Sequence, residues 1–180
     1  SLVYYLRRWR NRHQDLNYTD ARSWYLRVRY KLLLEFGIAG FAVYNLNLRI
    51  PWPWDWDLGY LGSAIWIGIT LLWIVGVSNA LNIIDGIDGL CGSVSVVSMA
   101  SLWFLAWYFG VEDVQWIAAL CTGAVCGFLL LNFHPARLFL GDMGSLFLGF
   151  MQAVLGLYLL QKMQNPNPFA LLYLSGLPVM

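Results

Sequence analysis

Apolar stretches about as long as a bilayer-crossing helix, each closed by a short polar break, give the chain its pattern. They lie near Lys31–Leu48, Tyr60–Ser78, Leu90–Gly110, Val114–Phe133 and Ser145–Gln161, and a further stretch opens at Phe169 and stops with the chain at Met180. A hydrocarbon core roughly 30 Å thick needs about 20 such residues in a helix. Lipid cannot satisfy the open edge of a sheet, so every stretch is predicted helical. The expected fold is all-α: a polytopic transmembrane helical bundle of about six spans. Residues 1–30 form a basic segment, and residues 31–180 the membrane domain.

Composition strengthens this picture. Only 12% of residues are charged and 59% are hydrophobic, against about 25% charged in soluble domains. The net charge of +1 says little, but its distribution says more. Of the 11 Lys and Arg, Arg7, Arg8, Arg10, Arg12, Arg22, Arg27, Arg29 and Lys31 precede or open the first stretch. Basic residues stay on the cytoplasmic side of membranes. The N-terminal segment is therefore placed there, and by alternation so are the breaks at Asn82–Gly89 and His134–Asp142. Trp52, Trp54 and Trp56, between prolines, read as an aromatic belt on the opposite side. Nothing suggests nucleic acid as a partner; contact of the basic segment with anionic lipid headgroups stays open. Cys91, Cys121 and Cys126 show no metal-ligand or redox spacing and read as small buried residues without a disulfide. The chain opens on Ser1 without Met and reads as a piece truncated at both ends.

Ionisable groups near a membrane are expensive and tend to be functional, which directs attention to the two breaks. In Asn79-Ala80-Leu81-Asn82-Ile83-Ile84-Asp85-Gly86-Ile87-Asp88-Gly89, a helical turn would set Asp85 and Asp88 on one side. Paired carboxylates invite a cation or a donor-rich ligand, and Gly86 and Gly89 allow backbone to come close. Helix capping by Asn82 and Asp85 is the structural alternative. The second break, Asn132-Phe133-His134-Pro135-Ala136-Arg137-Leu138-Phe139-Leu140-Gly141-Asp142-Met143-Gly144-Ser145, places an acid, a base, an imidazole and an aromatic ring beside a helix start. Asp142, between Gly141 and Gly144, has room for hydrated Mg²⁺, which binds through carboxylate and phosphate oxygens; capping of the next helix is its alternative. Ser145 and the amides behind it could meet a phosphate at the helix N-terminus. His134 is either catalytic or an orienting loop residue, and Phe139 either a base-stacking platform or core.

The segments NALNIIDGIDGL and GFLLLNFHPARLFLGDMGSLFLGF resemble the two signature loops of the polyprenyl-phosphate N-acetylhexosamine-1-phosphate transferase superfamily, glycosyltransferase family 4. The likeness spans roughly Thr19–Gln161. Ile84 and the NFHPARLF stretch make it more similar to the undecaprenyl-phosphate GlcNAc-1-phosphate transferases than to the phospho-MurNAc-pentapeptide transferases, which stand as the alternative. The resemblance implies about ten membrane helices and a cytoplasm-facing site in a bacterial inner membrane. It implies transfer of N-acetylhexosamine-1-phosphate from a UDP-amino sugar to undecaprenyl phosphate with loss of UMP, an opening membrane step of cell-wall or surface polysaccharide synthesis. It also implies Mg²⁺ as cofactor, with Mn²⁺ as a substitute, and leaves room for a homodimer.

Residue by residue, Asp142 matches the family's magnesium-binding aspartate. Phe139 matches the aromatic associated with uracil, and Asn82, Asp85 and Asp88 match the polar cluster of the nucleotide pocket. Asp85, Asp88 and His134 are then candidate catalytic groups, and Asn82, Asp88, Arg137 and Phe139 candidate substrate contacts. The family's Asp-Asp pair, which acts on the lipid phosphate, is incomplete here: Asp20 takes the second place as a candidate catalytic group and Thr19 the first. The late His-rich loop falls beyond Met180. A transporter or non-enzymatic scaffold is the competing class; transporters favour acids near mid-bilayer in broken helices, whereas Asp85, Asp88 and Asp142 are expected at helix ends.

Overall fold

The structure is a computed structural model that describes residues 18–50 and 59–163, and every element among them is a helix. The chain divides into two compact units, Ser1–Gly37 and Ile38–Met180. α1 (Tyr18–Leu46) runs through both, while α2 (Gly59–Ile84), α3 (Leu90–Phe109), α4 (Glu112–Asn132) and α5 (Gly141–Lys162) belong to the second. Among the described residues, 4 helices are long and apolar enough to cross a membrane, namely α2 to α5. The count of about six spans is corrected accordingly. The run expected at Lys31–Leu48 is the later part of α1, which holds Lys31 and Glu35 just after Arg29 and is not among those four helices. The stretch from Phe169 and the tryptophans at 52, 54 and 56 lie outside the described residues.

Helix ends follow from local chemistry. α3 closes in a Schellman turn: Gly110 takes a left-handed φ of 70°, its N–H reaches Trp107 O at 3.3 Å, and the Val111 N–H reaches Ala106 O at 2.8 Å. Glu112 and Asp113 then stand in the first turn of α4, where acids favour the helix dipole. α4 stops at Asn132, with Phe133 extended (ψ 149°) shortly before Pro135. Two boundaries differ from expectation. α2 continues past Ser78 to Ile84, because the Asn79 amide bonds back to Val75 O at 3.0 Å and does not break the helix. α5 starts at Gly141 rather than Ser145.

Several hydroxyls inside the spans are satisfied by their own helices. Thr70 bonds to Trp66 O at 2.7 Å, Ser78 to Ile74 O at 2.8 Å and Thr122 to Ala118 O at 2.7 Å. Outward side chains such as Phe41, Leu72, Trp107, Trp116 and Leu120 are exposed, a surface matched to acyl chains rather than to water.

Packing centres on α5, which touches α2 along much of its length and also α3, while α3 pairs with α4. Lipid gives helices no hydrophobic reason to associate, so close backbone approach through small residues has to do it. At Gly149 an added Cβ would sit 2.6 Å from Ser78 Cα and 2.9 Å from Val77 O, contacts with backbone that cannot swing away. Gly92 meets side chains instead, Leu129 Cδ2 at 2.6 Å and Phe128 Cδ1 at 3.7 Å. At the far end of the helices, Gln161 Nε2 donates to Asn47 O at 3.0 Å and Arg49 O at 3.1 Å, joining the end of α5 to the residues after α1.

Gly149→Ala is therefore expected to force α2 and α5 apart and to destabilise the protein by about 1–3 kcal/mol, the range for overpacking. Gly123→Ala, with nothing within 4 Å of its added Cβ, is the control. Thermal unfolding in detergent should show a clear fall for the first and little change for the second.

Candidate active site at the converging helix ends

The C-terminal ends of α2 and α4 and the N-terminal ends of α3 and α5 come together, and with them the two polar breaks. One group forms between α2 and α5. Asn82, on the last turn of α2, donates through Nδ2 to Asp142 Oδ1 at 3.3 Å and to Ser145 Oγ at 2.8 Å. Ser145 passes the bond on by donating to Gly141 O at 3.0 Å. It is fully buried, so it braces Asn82 and Asp142 instead of facing a phosphate as expected. Asp142 lies in the first turn of α5 and is not its N-cap; that place belongs to Leu140.

Asp85 completes this group. It accepts the Gly141 N–H, stands close enough to Asp142 to feel its charge, and has the Cys91 thiol beside it. Burial pushes the Asp85 carboxyl above its ordinary range. The negative charge of Asp142 adds to the rise, while the bonds from Gly141 and Cys91 oppose it. A cation between the two carboxylates would reverse that repulsion.

A second group forms between the breaks themselves. Asp88 Oδ2 lies 3.1 Å from His134 Nδ1 and accepts the Ala136 N–H at 3.3 Å. Asp85 and Asp88 lie in a non-helical turn, so they divide between the two groups rather than sharing one helix face. His134 is 86% exposed and Asp88 31%, so the pair borders open space. Phe139 is 71% exposed, which removes it from the core. The Arg137 side chain is exposed too, while its N–H is tied to Leu131 O at 2.8 Å. The Asp20 side chain lies outside the described residues.

Asn132 received no role from the sequence, yet it joins the breaks. Its Oδ1 accepts the Gly89 N–H at 2.9 Å and its Nδ2 donates to Leu138 O at 2.8 Å. The signal available was an Asn at the end of an apolar span, where a buried amide must find partners. Cys91, read as a small buried residue, is buried and also adjoins Asp85.

The carboxylate oxygens of Asp85 and Asp142, with the Asn82 amide beside them, suit a hard cation. Mg²⁺ characteristically takes one or two carboxylates and completes its shell with water and phosphate oxygens. Among the described residues no three His, Cys, Asp or Glu gather into a ligand cage.

A helical membrane domain that brings two acid-bearing breaks together at one end defines a class, and comparison with known proteins supplies its name. The chain belongs to glycosyl transferase family 4, whose model matches residues 15–160. It is 33% identical over 139 residues to the "Probable undecaprenyl-phosphate N-acetylglucosaminyl 1-phosphate transferase" of Bacillus subtilis (strain 168), a match covering 76% of this chain and 38% of that protein. It is 40% identical over 99 residues to the phospho-N-acetylmuramoyl-pentapeptide-transferase of Lacticaseibacillus paracasei, covering 54% of this chain and 31% of the relative. A third relative, the phospho-N-acetylmuramoyl-pentapeptide-transferase of Shouchella clausii, is 38% identical over 96 residues, 53% of this chain and 29% of its own. The chain thus spans less than two fifths of the length of these curated relatives.

Gly89 is the residue on which the break between α2 and α3 turns. Its φ is 76°, and an added Cβ would meet Phe133 Cδ1 at 2.9 Å. Gly89→Ala combines a left-handed strain of about 1 kcal/mol or more with a clash against the ring. It should loosen the Asp88–His134 pair, read as loss of the chemical-shift perturbation that Asp88→Asn produces at His134 in the unmodified background.

Proposed function

We propose that this chain is part of an enzyme that transfers N-acetylglucosamine-1-phosphate from its UDP-sugar to undecaprenyl phosphate and releases UMP, opening the synthesis of a cell-wall or surface polysaccharide. The observation that carries this reading is the meeting of Asp85, Asp142 and Asn82 with the Asp88–His134 pair at the same end of the helices. In the reaction, an oxygen of the lipid phosphate attacks the sugar-bearing β-phosphorus. The bond from that phosphorus to the bridging oxygen breaks, and UMP departs with the electron pair.

The residues divide that work. Asp142 and Asp85 would hold Mg²⁺ (Mn²⁺ as substitute), which would neutralise charge gathering on the departing UMP. Asn82 and Ser145 keep Asp142 in place. A carboxylate at Asp88 only accepts hydrogen bonds, so its pairing puts a proton on His134 Nδ1 and leaves Nε2 as an acceptor able to take a proton from a phosphate O–H. Phe139, exposed on the same break as His134, offers a stacking face for uracil, and Arg137 a charge for the diphosphate. Asp20, on α1, is assigned to the lipid phosphate by its place in the family pattern alone. Orientation toward the cytoplasm follows from the basic N-terminal segment, and a homodimer is compatible with the family.

One observation favours a second reading, a phospho-N-acetylmuramoyl-pentapeptide transfer: identity is higher with those enzymes, 40% against 33%, over a shorter segment. The broader match, across 76% of this chain, favours GlcNAc-1-phosphate, and a side-by-side assay of the two UDP donors decides.

In the intact protein, Asp142→Asn should lower Mg²⁺-dependent UMP release from UDP-GlcNAc by about 100-fold or more, as expected for losing a principal charge-stabilising group. Its thermal midpoint should stay near that of the unmodified protein. Phe139→Ala should instead weaken UDP-GlcNAc binding by about 1–3 kcal/mol, the range for base stacking on an aromatic. Near-normal turnover in the first variant would sink the metal assignment, and unchanged affinity in the second would remove the stacking role.

Orientation has its own test. Single cysteines at Gly86 and Gly141, in a background without Cys91, Cys121 and Cys126, should react with an impermeant maleimide only from the cytoplasmic face. One at Glu112 should react only from the other.

A further inference from the structure

We propose that Asn132 is a positioning residue for the transfer, fixing the separation between the Asp88–His134 pair and the Phe139–Asp142 arm by spanning both breaks with a single amide. The inference rests on the transferase reading above. Asn132 ends α4 and is 5% exposed. One head of its amide takes the N–H of Gly89, the neighbour of Asp88; the other grips the carbonyl of Leu138, the neighbour of Phe139. A primary amide is planar and offers acceptor and donor at a fixed spacing, so the two chain segments cannot drift apart without breaking one bond.

Other contacts concentrate at the same place. The Phe133 ring lies against Gly89. Asp88 reaches back across the junction to His134 and to the Ala136 N–H. Arg137 and Leu138 both fold their N–H groups onto Leu131 O, at 2.8 Å and 3.2 Å, anchoring the second break to the last turn of α4. Asn132 is thus, beside Asp88, a side chain through which motion of one break is felt by the other, although no substrate atom need touch it.

The two heads can be removed separately. Asn132→Asp keeps an acceptor for Gly89 but has no donor for Leu138; Asn132→Leu keeps the approximate volume and has neither. In the intact protein in nanodiscs, hydrogen exchange should rise about tenfold or more across 85–89 and 133–140 in the Leu variant. In the Asp variant it should rise across 133–140 only. Exchange in the central turns of α4 and α5 should stay unchanged in both.

Activity supplies the second readout. Asn132→Leu should cut kcat for UMP release by about tenfold or more. Added to Asp88→Asn it should cause little further loss, because residues acting through one another are non-additive. A uniform rise in exchange along α4 and α5, unchanged exchange in the breaks, or additive losses in the double variant would overturn the proposal, the first by showing a merely structural role. If the unmodified protein releases no UMP from either UDP donor, the transferase reading fails and this inference falls with it. Active unmodified protein beside fully active Asn132 variants overturns this inference alone.

Discussion

The absence of a side chain at Gly149 is what the site depends on most. It allows α5 to lie directly on the backbone of α2 at Val77 and Ser78, and that contact sets where the two helices finish relative to one another. One turn further along α2, Asn82 can then reach both Asp142 and Ser145. With α5 displaced outward, Asp142 would lose its amide partner and Asp85 its bond from Gly141. The apolar packing deep in the helices and the polar geometry at their ends form one mechanical arrangement.

A second constraint places the polar groups. Hydrocarbon leaves no partner for an unmatched donor or acceptor, and in this chain Thr70, Ser78, Ser101 and Thr122 turn back on their own helices. In α2 to α5 the carboxylates stand at helix ends, Asp85, Asp88 and Asp142 at one side and Glu112 and Asp113 at the other. A transporter reading would ask for acids part-way along a broken span; the unbroken α2 to α5 supply no such position. Burial still costs Asp85 something, seen in its raised pKa. That group is also the one whose discomfort a bound cation would relieve.

Much of this was legible in the order of residues. Apolar run lengths foretold a helical membrane fold, and the spacing of Asp85, Asp88 and Asp142 with their glycines marked both breaks. Helix ends were harder, since hydrophobic runs record where lipid begins and not where backbone hydrogen bonding ends. Asn79 and Asn82 look like helix breakers, but α2 absorbs them: Asn79 bonds back within its own helix and Asn82 faces α5. Ser145 looked like a phosphate ligand because it was expected at a helix N-terminus, and only the approach of α2 reveals that it is enclosed. Asn132 was invisible as a bridge. Its partner Gly89 is 43 residues away, and no local pattern encodes a pairing across that distance. Local chemistry is written in neighbours, whereas the meeting of the two breaks is written in the packing of α2, α3, α4 and α5.

The turn at Gly110 and Val111 joins α3 to α4 with almost no connecting chain. Very little polar material therefore has to cross the bilayer when these helices are threaded into it: two peptide groups already bonded to α3, then Glu112 and Asp113. α3 also presents Gly92 to Leu129 near the opposite end, so the pair is matched at both extremities without help from α5. Physically this is a self-contained hairpin that can enter the membrane as one piece, delivering Gly89 and Asn132 to the same face already side by side. The biosynthetic order of the chain would then assemble half of the pocket before α5, with Asp142, has left the ribosome.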